Sequence, residues 1–286
     1  MTVSPLQWAE AQAARLPYLL LRHAESTLAP LVFIHAGVCD HRMWLEQLSA
    51  FAAERTVLAY DRRGFGRAQT AAPTPHRWVD DLYAVLAAAG IERAIFVGCS
   101  QGGRIALDAA LERPACVAGL VLIAPSVGGA PAPALAGRTA ALQAAIERAQ
   151  AGGDVDAINQ ALAALWLDGP LAETGRVSGA ARELFLDMDG LMLRQPASGT
   201  VIEPALAAWD HLERVQAPCL VMWGDLDLPH LQQRCEAMVR RIPGARRCIM
   251  PGVAHLPSLE APAAFNAALR PFLNGVDSAN VESTRP

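Results

Sequence analysis

AIFVGCSQGGRIALDAALE (94–112) passes from a continuous apolar run into a stretch with helical spacing, and the join is Gly98-Cys99-Ser100-Gln101-Gly102. A run of Ala, Ile, Phe and Val without polar alternation reads as a strand covered on both faces. A Gly-x-Ser-x-Gly at a strand-to-helix join has a mechanical meaning. The residue at so tight a turn takes strained dihedrals and needs small neighbours, and the turn lifts its side chain clear of the sheet. The following helix aims its free N–H groups at whatever anion forms there. Ser100 is therefore the candidate nucleophile, in preference to a plain helix-capping serine. Cys99 is not flanked symmetrically by the two glycines and reads as a packed thiol.

Outward from this join, the same rhythm repeats. Strand-like LPYLLLRHA (16–24) and PLVFIHAG (30–37) lead to helical HRMWLEQLSAFAAE (41–54). TVLAYDRRGFG (56–66) leads to HRWVDDLYAVLAAAG (76–90), and VAGLVLIAPS (117–126) closes the first half. From about Gly128 to Pro204 no strand is legible, only amphipathic helical stretches and loops. The rhythm resumes with APCLVMWGD (217–225), ARRCIMPG (245–252) and a last helix from about Ser258 to Leu273. Alternating elements predict an α/β fold, a doubly wound and mostly parallel sheet, with a helical cap inserted after the sixth strand. The expected division is 1–127 and 205–274 for the two parts of the core, 128–204 for the insertion, and a disordered polar tail over 275–286.

Composition narrows the chemistry. The chain has 286 residues, 52% of them hydrophobic and 18% charged, enough for a sizeable core. The net charge is −4 and no basic stripe stands out, so nucleic-acid binding has no electrostatic support. The chain contains no lysine. A Schiff base, a lysine-anchored pyridoxal group and a P-loop lysine are thereby unavailable, and arginine cannot replace them. The six cysteines (39, 99, 116, 219, 235, 248) form no Cys-x-x-Cys and no zinc spacing, and read as buried free thiols. The start of the chain lacks the basic-then-apolar layout of a signal peptide, and no apolar run approaches a membrane span. A cytoplasmic protein that binds neither membrane nor nucleic acid is expected. Both a monomer and a homodimer are compatible with the sequence.

A serine hydroxyl needs a base. His255, in Gly252-Val253-Ala254-His255, lies on the loop after the last strand. The acid that orients it belongs on the loop after a late strand, where Asp225 and Asp227 both stand; Asp227, farther out, is preferred over Asp225, which suits a turn. A tetrahedral oxyanion needs donors. The expected pair is the N–H of Gln101, next to the nucleophile, and that of Gly37, in the loop after LVFIH.

HAGVCDHRMW, YDRRGFG, GCSQGG, LVMWGDLD and GVAHLPSLEAPAAF together resemble the α/β-hydrolase superfamily, in its group of capped, cofactor-free serine hydrolases. The resemblance runs from about Leu31 to Leu273; in the insertion only position and helical character match. It implies the chain order nucleophile, acid, histidine, hence Ser100, Asp227 and His255, with Gly37 as an oxyanion donor. It implies no metal and no organic cofactor. His35-Ala36 replaces the usual His-Gly, and Ala68 replaces a serine. A serine nucleophile instead of Asp argues against haloalkane dehalogenases and epoxide hydrolases. HAGVCD and His255-Leu256 differ from the glycine-rich loop and His-Trp typical of carbon–carbon hydrolases.

The leading expectation is hydrolysis of a small apolar carboxylic ester through an acyl-enzyme. A lactonase or carbon–carbon hydrolase would use the same groups. A hydrolase fold serving as a ligand receptor is the alternative of another class. Trp166, Met188, Leu191 and Met192 read as packing core of the insertion more readily than as pocket lining, and Arg194 as a solvated helix end.

Overall fold

The structure, a computed structural model, describes residues 5–283. The strands are β1 (Gln7–Ala11), β2 (Ala14–Leu21), β3 (Leu31–Ile34), β4 (Val57–Tyr60), the two-residue β5 (Gln69–Thr70), β6 (Ala94–Cys99), β7 (Val117–Ile123), β8 (Cys219–Gly224) and β9 (Arg246–Met250). They form one sheet in the order β1-β2-β4-β3-β6-β7-β8-β9, with β5 paired to β2. β1 and β2 make an antiparallel hairpin and β2 is antiparallel to β4; from β4 to β9 every pairing is parallel.

The central strands are buried at every position, as their unbroken apolar runs require. Alternate residues serve opposite faces. Val32, Ile34 and Phe96 enter one core with Val79 and Leu82 of α2 (Trp78–Ala89), Ile105 of α3 (Gln101–Glu112) and Met238 of α7 (Pro229–Arg241). Leu31, Phe33, Ile95 and Val97 enter the other with Leu48 and Phe51 of α1 (Leu45–Phe51) and Phe265 and Leu269 of α9 (Pro262–Ser283). Two helical layers on a parallel sheet are the doubly wound α/β arrangement the sequence predicts.

Between β7 and β8 the chain forms α4 (Gly137–Gly152), α5 (Val155–Leu162) running into a π-turn at Ala163–Asp168, and α6 (Ala180–Leu193). β7 is the sixth strand of the main sheet path in chain order. Asp154 separates α4 from α5 by capping the N–H groups of Asp156 and Ala157. Ile146 and Leu165 pack on Leu228 and Leu231, seating these helices on α7.

One strand escaped the sequence reading, and one expectation requires correction. β1 was not legible: it is short, and only Ala9 of its five residues is buried. The polar tail expected over 275–286 is helical as far as Ser283, and 284–286 lie outside the described residues. Val276 is buried, and Asp277 pairs with Arg55, which anchors this extension to the core.

Asp189 on α6 is fully buried, and neither carboxylate oxygen has a hydrogen-bond partner. Burial alone pushes its carboxyl up to about 7. A carboxyl held above its unfolded value takes up its proton on folding, so its penalty is absent below the unfolded range near pH 4 and complete above pH 7. A rise of this size corresponds to on the order of 4 kcal/mol. Thermal midpoints measured from pH 4 to 8 should fall across this window. Asp189→Asn should make the fall shallower, leaving the share of Asp108, whose carboxyl burial also pushes up to about 7, and should raise the midpoint at pH 8. An unchanged profile would show that Asp189 does not govern it.

Candidate active site

Ser100 sits between β6 and α3 with φ 54° and ψ −116°, in a region L-residues rarely adopt. The turn is held on both sides: the Ser100 N–H donates to the Ile123 carbonyl at 2.8 Å, and the Ser126 N–H donates to the Ser100 carbonyl at 3.1 Å. The flanking glycines are steric necessities. A Cβ on Gly98 would stand 2.3 Å from the Gly102 carbonyl oxygen, and one on Gly102 would stand 2.1 Å from that of Ile34. Cys99 is buried beside them, donates its thiol hydrogen to the His255 carbonyl at 3.4 Å, and is kept protonated by burial.

That contact brings the loop after β9 against the elbow. His255 and Asp227 are buried together, with His255 Nδ1 2.8 Å from Asp227 Oδ2. The other Asp227 oxygen accepts the Leu228 N–H at 2.7 Å, which fixes the carboxylate plane. Asp225 turns away: its Oδ1 accepts the Gly252 N–H. His255 Nε2 is buried and has no hydrogen-bond partner, so the Ser100 hydroxyl is not bonded to it in this structure. Catalytic hydrogen bonds are often long before a substrate closes them. The Trp166 ring lies 4.5 Å from the imidazole, centre to centre.

The loop after β3 is equally constrained. The Ala36 carbonyl accepts from His35 Nδ1 (2.7 Å), Arg62 Nη2 (3.2 Å) and the Cys39 N–H (3.3 Å). His35 Nε2 accepts the Arg62 N–H at 3.0 Å, so the proton belongs on Nδ1. Burial and the nearby Arg62 charge lower the pKa of His35 well below its ordinary value, which keeps the ring neutral. Gly37 lies directly under the Gln101 side chain, where a Cβ would be 2.7 Å from Gln101 Cδ. The two expected oxyanion donors are thus neighbours, and the N–H of Gln101, the first residue of α3, has no partner within its own helix.

These constellations are joined by a matching family signature. Residues 31–268 match the family described as Alpha/beta hydrolase family. The chain belongs to that family. Among curated alpha/beta hydrolase relatives, a protein of Pseudomonas savastanoi pv. phaseolicola named "Putative carbamate hydrolase RutD" is 27% identical over 263 residues, covering 88% of this chain and 96% of its own. A pimeloyl-[acyl-carrier protein] methyl ester esterase of Edwardsiella ictaluri is 28% identical over 253 residues, covering 86% of this chain and 93% of its own. A solved hydrolase from Pseudomonas aeruginosa PA01 superposes with a TM-score of 0.73 at 26% identity, covering 94% of this chain and 98% of its own.

Two residues that hold the histidine loop of this alpha/beta hydrolase escaped the sequence reading. Glu260, the last residue of the short α8 (Pro257–Glu260), accepts the N–H groups of Ala254 (2.7 Å) and Leu256 (2.9 Å), one on each side of His255. Arg176, from the segment between α5 and α6, pairs with Glu260 and also donates to the carbonyls of Leu167, Asp168 and Gly252. Glu260 was visible in GVAHLPSLEAP, five residues past the histidine; nothing local marks Arg176. Met188 is fully buried in the core and Leu191 is exposed. Arg194 binds Asp156 and the Gly190 carbonyl.

Asp40, His41 and Asp61 are the metal-like cluster among the described residues. Their atoms are already engaged: Asp61 takes the His41 ring, the His41 N–H and the Arg67 N–H, and Asp40 takes Arg42. They brace the loop. Among the described residues, no helix is long and apolar enough to cross a membrane.

Proposed function

We propose that this alpha/beta hydrolase is a serine hydrolase that cleaves carboxylic esters of small, apolar acids or alcohols through an acyl-enzyme. The observation that carries the reading is the strained Ser100 beside an Asp227–His255 pair whose second imidazole nitrogen is buried and unpartnered. Asp227 accepts a hydrogen bond from the Nδ1–H of His255, which holds the proton on Nδ1 and leaves the lone pair on Nε2. Nε2 accepts the Ser100 proton as Oγ attacks the ester carbonyl. The N–H groups of Gly37 and Gln101 receive the oxyanion, each donor contributing about 2.7–4 kcal/mol to the barrier reduction. The imidazolium protonates the departing alkoxide. Water, deprotonated by the same nitrogen, then attacks the acyl-enzyme, and the imidazolium returns that proton to Ser100 Oγ as the acid leaves.

A carbamate or a lactone would pass through the same addition and elimination, and the name of one relative favours testing the former. The test is a panel of p-nitrophenyl esters of rising acyl length, with aryl carbamates and lactones beside them, and a fluorophosphonate probe followed by peptide mapping. The expected result is an ester burst and a single modification, at Ser100. A folded protein that neither turns over activated esters nor takes the label overturns the reading and favours a ligand receptor.

A further inference from the structure

Arg62 occupies the first position after the aspartate in YDRRGFG, and its neighbour Arg63 forms an ion pair with Asp81. The Arg62 guanidinium does something else. It is buried, its Nη1 and Nη2 both donate to Gln101 Oε1 at 3.1 Å, and Nη2 also donates to the Ala36 carbonyl at 3.2 Å. Its plane lies over Phe65, with the Trp78 ring farther off. Its hydrogen-bond acceptors are a carbonyl and an amide, and no carboxylate is among its ion pairs within the described residues. Burial pulls its pKa down to about 10, so it remains a cation at neutral pH.

Ala36 and Gly37 share one planar trans peptide, in which the C=O and N–H point in opposite directions. Gripping the Ala36 oxygen therefore aims the Gly37 N–H. Gripping the Gln101 side chain fixes the residue whose own N–H is the second donor, and holds that side chain against Gly37. One guanidinium thus joins both halves of the anion cradle, from residues 39 positions apart in sequence, Arg62 and Gln101.

We propose that Arg62 is the positioning residue of the oxyanion site: it sets the angle of the Gly37 and Gln101 N–H groups and places an uncompensated positive charge behind them. The inference rests on the serine-hydrolase reading above and adds to it a residue outside the triad. A buried cation with no carboxylate has most to gain when negative charge forms nearby, and it is already oriented at that moment. Its contribution belongs to the tetrahedral state and not to substrate binding.

The experiment compares the wild type with Arg62→Met and Arg62→Lys. It reads kcat and KM on one p-nitrophenyl ester, the inhibition constant of a trifluoromethyl ketone, the rate of fluorophosphonate labelling, and the thermal midpoint. Arg62→Met should lower kcat by about 100-fold, the low end for losing an oxyanion donor outright. KM should stay within about twofold, and ketone affinity should fall in parallel with kcat. Arg62→Lys keeps the charge without the fork and should recover part of kcat. The proposal is overturned if Arg62→Met changes KM at unchanged kcat, or if both variants lose only thermal stability while the ketone binds as before. A wild type that takes no label sinks the serine reading itself, whereas equal labelling of wild type and variant sinks only the role of Arg62.

Discussion

Ser100→Ala is expected to lower ester turnover by about 10⁶-fold, and Asp227→Asn by about 10⁴-fold, with circular dichroism unchanged in both. The first removes the atom that forms the acyl-enzyme. The second acts through the imidazole. The carboxylate accepts a hydrogen bond from Nδ1–H, with Nδ1 2.8 Å from Oδ2. An asparagine can turn its NH2 toward Nδ1 while its oxygen keeps the Leu228 N–H, and the proton then moves to Nε2. A protonated Nε2 cannot accept from Ser100, so the base is lost while the packing is kept. Asp225→Asn supplies the contrast. That side chain accepts the Gly252 N–H and does not face the imidazole, and its substitution should leave kcat within about threefold. Steady-state kinetics on one activated ester decide the matter: equal losses in the two aspartate variants would remove Asp227 from the relay.

Gly102→Ala should unfold the nucleophile turn. Its Cβ would come within 2.1 Å of the Ile34 carbonyl oxygen and 2.7 Å of that of His35, both on the backbone of the neighbouring strand and loop. No side-chain rotation relieves that overlap, so α3 must move off the sheet or β3 must bend. Overpacking of this kind costs about 3 kcal/mol or more, which lowers the thermal midpoint by roughly 6–12 °C or leaves no soluble protein. Gly152→Ala is the control: nothing lies within 4 Å of its Cβ, and its φ is not positive. That variant should match or slightly exceed the wild type, because alanine narrows the unfolded ensemble. Calorimetry on the three proteins gives the answer, and a Gly102→Ala midpoint equal to the control would refute the close approach.

The sequence carried the parts of this protein that depend on neighbours in the chain. A strand buried on both faces must be apolar at every position, so β3, β4, β6, β7 and β8 were visible as runs. The elbow was visible because only small residues fit around a residue with φ 54°. β1 and the end of α9 were missed for the complementary reason. Their anchoring is carried by a few distant contacts, Ala9 in the hairpin and the Arg55–Asp277 pair, and periodicity records neither.

By itself the sequence determined the alternation of elements, the strained serine and a short set of candidate acids and bases. It also excluded lysine chemistry. The tertiary structure decided which aspartate faces the imidazole, that Glu260 and Arg176 hold the histidine loop, and that Arg62 ties the Gln101 side chain to the Ala36 carbonyl. These choices rest on directions of side chains brought together from far along the chain, as when the Cys99 thiol meets the His255 carbonyl 156 residues away. Spacing along a chain fixes which face a residue occupies, but only the packing of the sheet fixes what that face meets.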